Sequence, residues 1–550
     1  MDRIQSFLLI TLVFLALLLW QAWENDYPPK MRSETIEKSQ NNTIPLAEEL
    51  TSEIPKIKPP ESLGETPSFP NNLSDTMGAK GDSKVQIETD VLEIIINEKG
   101  AVIESLSLKE YPITLNKPQP LELLGKRGSK EFVYQGGLFG RKGMPNHHSN
   151  FEVIPGPLKL GDNSDFLEVA FLWQDTDNIK VTKKYRLMRG SYQIEVEYKI
   201  DNVGIEPFKV HHYEQLKRTK ESSYNGLVYT FTGAIFSTPE SRFEKFDFDD
   251  LEEKPLDVTY AEAWIGNMQH YFVAALVPPP DKPYKYYSKV LDQNTYTVGF
   301  VSPENAINPG DSVVLKTKVY AGPKKQSILK GLAPGLDLSV DYGMLWFLAK
   351  PLFIILQGIY SLIGNWGWAI VLLTIFIKLL FYPLSAAGYR SMAKLRTVHP
   401  KMIALKERHG DDKAQLNQAM MKLYKDEKIN PLGGCFPILI QIPVFIALYW
   451  VLLETVEIRQ APFIFWINDL SNKDPFFVLP LLMGVSMWVQ QKLNPAPVDP
   501  IQAKVMQFLP VIFTVFFAFF PSGLVLYWVV NNVLSIAQQW RITSQMEKGR

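Results

Sequence analysis

The sequence has almost no cysteine, with one residue, Cys435, in a chain of 550. A single thiol excludes a disulfide framework and a thiolate metal centre built from this chain alone. An excess of charge of either sign is also missing, since 57 Lys and Arg residues balance 58 Asp and Glu residues. The overall charge therefore says nothing about a nucleic-acid or an acidic partner. We predict no DNA binding, no metal site and no cofactor.

Long apolar runs are present but unevenly placed, at the N-terminus and after residue 340, which predicts a membrane part and a soluble part. The run Ile4–Trp23 is long enough to span a bilayer as a helix. No small-x-small cleavage site follows it, which favours a retained signal anchor over residues 1–24; the alternative is a cleaved signal peptide. Residues 25–84 are rich in Pro, Ser, Thr, Asn and charged residues, which predicts a disordered linker.

Strand-like patterns run from about Val85 to Pro323. Polar and apolar residues alternate from Tyr192 to Tyr198, and β-branched residues are frequent from Val313 to Tyr320. Turn sequences such as Glu98-Lys99-Gly100 separate these runs. We predict one large, mainly antiparallel all-β sandwich over residues 85–330.

The C-terminal part contains the remaining apolar runs. Met344–Ile363 is interrupted by Lys350-Pro351, which favours an amphipathic helix in the membrane interface, within a connector of residues 331–363. The signal anchor is the first predicted transmembrane helix, and five further spans bring the total to six. The predicted helical core covers residues 364–540, and a short tail covers residues 541–550. The predicted spans are Asn365–Leu384, Cys435–Leu453, Pro475–Gln490, Val505–Phe520 and Ser522–Trp540.

Charge placement predicts the orientation of these spans. Residues 386–430 carry ten Lys or Arg against five acids, whereas residues 454–474 carry two basic residues and four acids. The basic segment therefore faces the cytoplasm, and both termini follow it. Residues 25–343 then lie outside, and we predict the periplasm of a Gram-negative bacterium, with the chain in the inner membrane.

The basic segment 386–430 shows apolar residues at helical spacing on both sides of His409-Gly410-Asp411-Asp412, which predicts a helical hairpin whose second helix an Asp caps. One interpretation is a solvated loop that follows the charge rule. The other is a docking surface for the ribosome or a targeting factor. The candidate docking residues are Arg390, Lys394, Arg396, Lys401, Lys406 and Arg408.

Lys378 is the residue most in need of explanation, because it is a charged residue inside a predicted span. The other predicted spans contain no Asp or Glu that could pair with it. A cation near mid-membrane costs about 2.5–3.5 kcal/mol on insertion scales, so we expect it to face a hydrated cavity or neutral partners. The alternative is that it extends to the cytoplasmic interface. The candidate neutral partners are Thr374, Gln441, Ser486, Gln490, Asn531 and Asn532.

Four peptides then carry a resemblance. They are Asn430-Pro431-Leu432-Gly433-Gly434-Cys435-Phe436-Pro437, Gln441-Ile442-Pro443-Val444-Phe445, Arg459-Gln460-Ala461-Pro462-Phe463, and the run from Phe520-Pro521-Ser522-Gly523 to Trp528. In order, spacing and topology they closely resemble the YidC insertases that have a large periplasmic domain, and the resemblance covers essentially the whole chain.

The resemblance implies a membrane protein insertase and chaperone, not an enzyme, that inserts nascent membrane proteins alone or with the Sec translocon (SecYEG, SecDF). It implies that the sandwich is a mutarotase-like β-supersandwich. Lys378 matches the groove position that is usually Arg in the family, Thr374 matches the family's threonine, and Trp528 matches an aromatic client-contacting position. Membrane lipids are the other expected partner.

Two rival functions remain open. A membrane-tethered carbohydrate enzyme would use polar residues of the sandwich as acid and base, and a transporter would use Lys378 as its substrate site. The enzyme leaves five spans unexplained, and the spans show no internal repeat of the kind common in transporters. The candidate acid and base residues are His147, His148, His211, His212, Tyr213 and Glu214.

Overall fold

A computed structural model describes residues 83–115, 117–176, 178–221, 224–225, 228–292, 294–409, 412–427, 436–494 and 500–548. The predicted signal anchor (1–24), nearly all of the predicted linker (25–84) and Cys435 lie outside these described residues.

The described part of residues 84–323, called here the β domain, is built mainly of strands paired in an antiparallel manner. The strands are β1 Lys84–Glu88, β2 Leu92–Asn97, β3 Val102–Thr114, β4 Lys117–Arg127, β5 Lys130–Phe139, β6 Glu152–Val153, β7 Phe166–Gln174, β8 Ile179–Met188, β9 Gln193–Asn202, β10 Phe208–Thr219, β11 Tyr224–Asn225, β12 Val228–Tyr229, β13 Gly233–Ser237, β14 Glu244–Phe246, β15 Asp257–Tyr260, β16 Trp264–Gln269, β17 Phe272–Val277, β18 Tyr284–Asp292, β19 Thr295–Val301, β20 Asn305–Ile307 and β21 Ser312–Pro323.

Two large sheets make the predicted sandwich. Within the described residues, a ten-stranded sheet has the order β1-β2-β3-β4-β5-β10-β19-β18-β15 with β20 beside β10, and a nine-stranded sheet has the order β14-β13-β16-β17-β21-β9-β8-β7-β6. The alternation predicted around Tyr192–Tyr198 is confirmed in β9, where Ile194, Val196 and Tyr198 are fully buried and their neighbours are half-buried. One continuous apolar core joins both sheets.

The helices follow the β domain, apart from one short helix within it. They are α1 Phe248–Glu253, α2 Gln326–Leu332, α3 Trp346–Ile363, α4 Trp366–Leu380, α5 Tyr382–His409, α6 Lys413–Asp426, α7 Phe436–Glu454, α8 Val478–Leu493, α9 Pro500–Phe517 and α10 Ser522–Lys548. Three short 3-10 helices lie at Leu336–Ser339, Gly343–Leu345 and Val456–Ile458.

A helix lies at each span predicted after the signal anchor, with shifted ends. The fourth predicted span starts three residues later than expected, at Val478, and α10 extends beyond Trp540 to Lys548. By length and composition alone, one described helix, Gly343–Ile363, is long and apolar enough to cross a bilayer. The pair α4 and α5 meets the same criteria together but bends by 68°, and Gln441–Glu454 and Ala503–Phe517 are shorter apolar helices. The total of six spans therefore remains a prediction.

The basic segment forms the predicted helical hairpin, with α5 and α6 as its arms. Asp412 caps α6 as expected, because its carboxylate accepts hydrogen bonds from the backbone N–H groups of Ala414 and Gln415. The apolar residues that face each other across the arms include Val398, Met402, Met420 and Tyr424. The spacing of apolar residues in the sequence had indicated this packing.

The β domain and the end of α7 are joined by a set of polar contacts, called here the domain–core contact. Lys324 and Glu454 form a buried ion pair, with Nζ 2.8 Å from Oε2. Nε2 of His270 donates to the carbonyl of Leu453 over 2.9 Å, and burial lowers the pKa of this histidine, which favours the neutral ring. The Arg459 guanidinium donates to the carbonyl of Pro112, 2.8 Å away.

Candidate functional site

Lys378 lies in the last turn of α4, and its side chain is half-buried among helices. Its ammonium group donates hydrogen bonds to the Ser535 hydroxyl over 2.7 Å and to Oε1 of Gln441 over 3.2 Å. Gln441 lies on α7 and Ser535 on α10, so three helices converge on the charge. Both partners are neutral, as expected from the absence of acids in the spans.

Gln441 extends the network from Lys378 towards α10. Its side-chain amide donates to the Tyr527 hydroxyl over 3.2 Å and to the side-chain oxygen of Asn531. Ser535 in turn donates to the backbone carbonyl of Asn531 over 2.7 Å. The set called here the Lys378 network consists of Lys378, Gln441, Tyr527, Asn531 and Ser535. Its hydrogen bonds fix the position of the ammonium.

No carboxylate of the described residues lies within ion-pair distance of Lys378. A small cleft of about 20 Å³ adjoins the ammonium, enough for about one water molecule. It is lined by Ile377, Lys378, Phe381, Leu384, Ser385, Gln441 and Val444. The charge therefore has neutral hydrogen-bond partners and a cleft, and it lacks a counterion within the described residues.

Three other predicted residues lie near this network without bonding to Lys378. Thr374, one turn earlier on α4, is buried and donates to the carbonyl of Ile370 over 2.7 Å. Asn532 on α10 donates to the Ser486 hydroxyl on α8 over 3.0 Å, and both are buried. These bonds tie α10 to α8, so Asn532 and Ser486 belong to a separate helix contact.

Trp528 and Gln490 occupy different surroundings. The Trp528 ring is 4.9 Å from that of Phe445 and 5.7 Å from that of Phe517, in an aromatic cluster. Its indole N–H is buried and has no hydrogen-bond partner among the described residues. Gln490 is half-buried on α8 and has no hydrogen bond to Lys378. Of the predicted polar set, only Gln441 and Asn531 therefore belong to the Lys378 network.

Two members of the network, Tyr527 and Ser535, were missed at the sequence level. A signal was present, because Tyr527, Asn531 and Ser535 are spaced four residues apart and so share one face of a helix. A serine or a tyrosine within an apolar span indicates a polar site less clearly than an asparagine or a glutamine does. The four-residue spacing, and not the residue types alone, indicates that these polar groups lie together on one face of the helix.

The predicted docking residues lie on the first arm of the hairpin, α5. Arg390, Lys394, Arg396, Lys401 and Arg408 are exposed, and Lys406 is half-buried. Lys401 also pairs with Glu427, with 2.6 Å between Nζ and Oε1. The exposed cations are available to a partner, and their role stays a prediction.

The histidine-containing set of the β domain is mostly internal. Glu214 is fully buried and accepts from Nε2 of His212 over 3.0 Å, and Nδ1 of His147 is 2.5 Å from the Tyr213 hydroxyl. His211 is half-buried and His148 is exposed. The buried Glu214 carboxylate is therefore out of reach of a sugar, which argues against an acid or base role for it on carbohydrates.

Family comparisons decide the identity. A model described as YidC periplasmic domain matches residues 84–355, and one described as 60Kd inner membrane protein matches residues 358–549. A protein named membrane protein insertase YidC from Methylococcus capsulatus is 45% identical over 535 residues, covering 96% of each chain. Its namesake from Thioalkalivibrio sulfidiphilus is 45% identical over 565 residues, covering 100% of this chain and 99% of that protein. The chain belongs to the YidC family of membrane protein insertases.

Membership in the YidC family makes the chain an integral inner-membrane insertase and not an enzyme. Among solved structures, an active YidC insertase has a TM-score of 0.38 at 19% identity, covering 84% of this chain and 92% of that one. A galactose mutarotase related enzyme from Lactobacillus acidophilus has a TM-score of 0.32 at 11% identity, covering 44% of this chain and 97% of that one. Both scores are below 0.5, so no functional conclusion rests on either likeness.

Proposed function

We propose that this YidC family member inserts its clients through a polar groove whose charge is Lys378. The observation that carries the proposal is an ammonium group in the last turn of α4 that has only neutral partners among the described residues and adjoins a cleft. A cation without a bound carboxylate keeps its full attraction for an incoming acidic side chain, and a low local dielectric strengthens that attraction.

The groove acts on the client's polar flank and the surrounding helices act on its apolar part. Water and hydrogen-bonding groups around Lys378 shorten the hydrocarbon path that a polar tail must cross. The client's own apolar helix meanwhile contacts exposed apolar side chains of the bundle, such as Leu481, Val485 and Val511. No covalent bond is made or broken, since the groove only lowers the cost of moving a charge into the bilayer.

The proposed topology has six spans with both termini in the cytoplasm. The balance of ten basic to five acidic residues in 386–430, against two to four in 454–474, supports a cytoplasmic hairpin and an external β domain. In this arrangement α3 lies in the outer interface, with Trp346, Phe347 and Leu362 exposed and Leu356 buried against the core. The β domain would then be the mutarotase-like β-supersandwich of the family.

The proposed partners follow from this arrangement. Nascent membrane proteins enter from the cytoplasm, and the exposed cations of α5 would receive the ribosome or a targeting factor. The Sec translocon, as SecYEG with SecDF, and the membrane lipids would contact the spans.

The test is insertion into liposomes of a small client with an acidic translocated tail. Lys378→Arg keeps the positive charge and is expected to retain activity, whereas Lys378→Gln lowers it and Lys378→Glu abolishes it. Lys492→Gln is a matched control, because it removes a cation from the last turn of α8, away from the network. Equal insertion by all Lys378 variants would overturn the proposed groove.

A further inference from the structure

The loop between α7 and α8 exposes aromatic side chains that the groove does not use. Phe465 is 86% exposed and Phe476 is 68% exposed, and Ile464 and Phe477 beside them are also exposed. Large aromatic residues exposed together mark a contact surface. These four residues are called here the loop patch.

The loop backbone is strained at this patch. Phe465 and Phe477 have φ angles of 53° and 57°, in the left-handed region that bulky residues rarely adopt. Such a conformation persists only where the surroundings impose it, and it therefore indicates a function for the outward direction of the rings.

Two carboxylates hold the loop from within. Asp474 is buried, accepts from the Trp466 indole N–H over 3.0 Å, and accepts from the backbone N–H groups of Phe476 and Leu479. Asp469 accepts from the backbone N–H groups of Gln460 and Ser471. The loop is therefore a preformed structure that holds its aromatic rings outwards.

Further bonds fix the loop to the spans. The Ser522 hydroxyl at the start of α10 donates to the carbonyl of Asp469 over 2.8 Å, and the Asn365 amide at the start of α4 donates to the carbonyl of Phe463 over 3.3 Å. The Phe463 ring packs on Gly367, whose ideal Cβ would lie 2.0 Å from it, so the close approach requires glycine. Any force on the loop is therefore transmitted to α4 and α10, the helices of the Lys378 network.

The surroundings of the patch identify its partner. Phe477 leads directly into α8, whose Leu481, Leu482 and Val485 are exposed as they would be towards lipid. Of the three charged residues in 461–477, Asp469 and Asp474 are turned inward, and the exposed one is Lys473. Aromatic rings at the end of a span, with a nearby cation, are typical of the lipid interface.

We propose that the loop patch inserts into the headgroup and upper acyl region of the outer leaflet and sets the depth of the core in the bilayer. Lys378 lies twelve residues after Trp366 on α4, roughly 18 Å further along the helix axis at 1.5 Å per residue. An anchor at the outer end of α4 thereby fixes how deeply the ammonium sits. The proposal rests on the topology proposed above for residues 454–474.

The test places nitroxide labels at single cysteines in a Cys435→Ser background, in vesicles of phosphatidylethanolamine and phosphatidylglycerol. Phe465→Cys and Phe476→Cys are the two test positions, so that one poorly folded variant does not decide the result. Ile205→Cys is the aqueous control, because Ile205 is 92% exposed on the turn between β9 and β10. Collisions with oxygen report lipid, and collisions with a water-soluble nickel chelate report water.

We expect both loop labels to collide several-fold more with oxygen, relative to the nickel chelate, than the label at 205. Labels as accessible to nickel as the one at 205 would overturn the proposal. Labels that become shielded only after purified SecYEG is added would overturn it too, in favour of a protein partner. The measurement uses no client, so its failure is distinct from a failure of the Lys378 variants in the insertion assay.

Discussion

The Lys378 ammonium has fewer hydrogen-bond donors than a guanidinium, and the number of acceptors around it is correspondingly small. An ammonium is a compact charge with three donors, and Gln441 and Ser535 accept two of them. The third points to no acceptor within the described residues, which leaves a donor for water in the adjoining cleft or for a client carboxylate. An arginine at this position would have to spread five donors over the same small set of acceptors.

Gln441→Glu tests this residue-scale electrostatics without touching the lysine. The new carboxylate would lie where the amide oxygen now lies, 3.2 Å from the ammonium, and would form an ion pair with it. We expect insertion of a client with an acidic tail to fall, and insertion of the same client with a neutral tail to remain close to the original level. The measurement is protease protection of both clients in liposomes.

Gln490→Glu is the matched control for that substitution, because Gln490 is half-buried on α8 and makes no hydrogen bond to Lys378. It adds the same charge to the bundle away from the network. If both variants lower insertion of both clients equally, the groove charge is not what selects acidic tails.

At the scale of the elements, the domain–core contact fixes the C-terminal end of α7. Lys324 and Glu454 have side chains only 2% and 7% exposed, so each charge depends on the other for compensation. Gln441, which holds Lys378, lies on the same helix. The β domain thereby helps to position the helix that carries part of the network.

Glu454→Gln should destabilise the chain by about 3–5 kcal/mol, because it leaves the Lys324 ammonium buried without a counterion. The double variant with Lys324→Met should recover most of that loss, since neither charge is then buried alone. Thermal unfolding in detergent, analysed as a double-mutant cycle, measures both effects. Additive losses in the double variant would show that the two residues do not stabilise the fold as a pair.

Across the whole molecule, the β domain keeps a lysine in its core. Lys183 is fully buried, and its ammonium is 5.1–5.8 Å from the ring centres of Tyr134, Tyr185 and Tyr198 and bonds to the carbonyl of Gly100. Burial lowers its pKa from 10.5 to about 7, and the nearby Glu214 carboxylate opposes the shift. Burial raises the pKa of the three tyrosines well above the usual value, so they stay neutral around it.

The lowered pKa of Lys183 predicts a pH dependence of stability. Between about pH 7 and 10.5 the unfolded chain holds a proton at Lys183 that the folded chain has released, so the free energy of unfolding should rise with pH through that window. This gain in the free energy of unfolding is lost as the pH falls from 10.5 to about 7. The measurement is thermal unfolding of the β domain within the full chain at pH 7 and pH 9.

Lys183→Met is the comparison for that measurement, because it removes the titrating group and keeps an unbranched side chain of similar length. The pH 7 to 9 gain should be smaller in this variant than in the original chain. An equal gain in both would assign the pH dependence to other groups.

Much of the architecture followed from local patterns. Period two in Tyr192–Tyr198 predicted β9, and the spacing of Met402, Met420 and Tyr424 predicted the hairpin, because burial of one face imposes these repeats. The ends of the spans were less accurate. Composition does not distinguish a helix that stops at the membrane boundary from one that continues to Lys548.

The sequence by itself determined the family, the sandwich followed by helices, and the isolated cation at Lys378, since each depends on residue order or composition. The tertiary structure alone decided which neutral groups hold that cation, and it selected Gln441 and Ser535 over Ser486 and Gln490. It also placed Lys324 against Glu454, 130 residues away. Contacts between distant segments depend on how helices and sheets pack, and local periodicity carries no record of that packing.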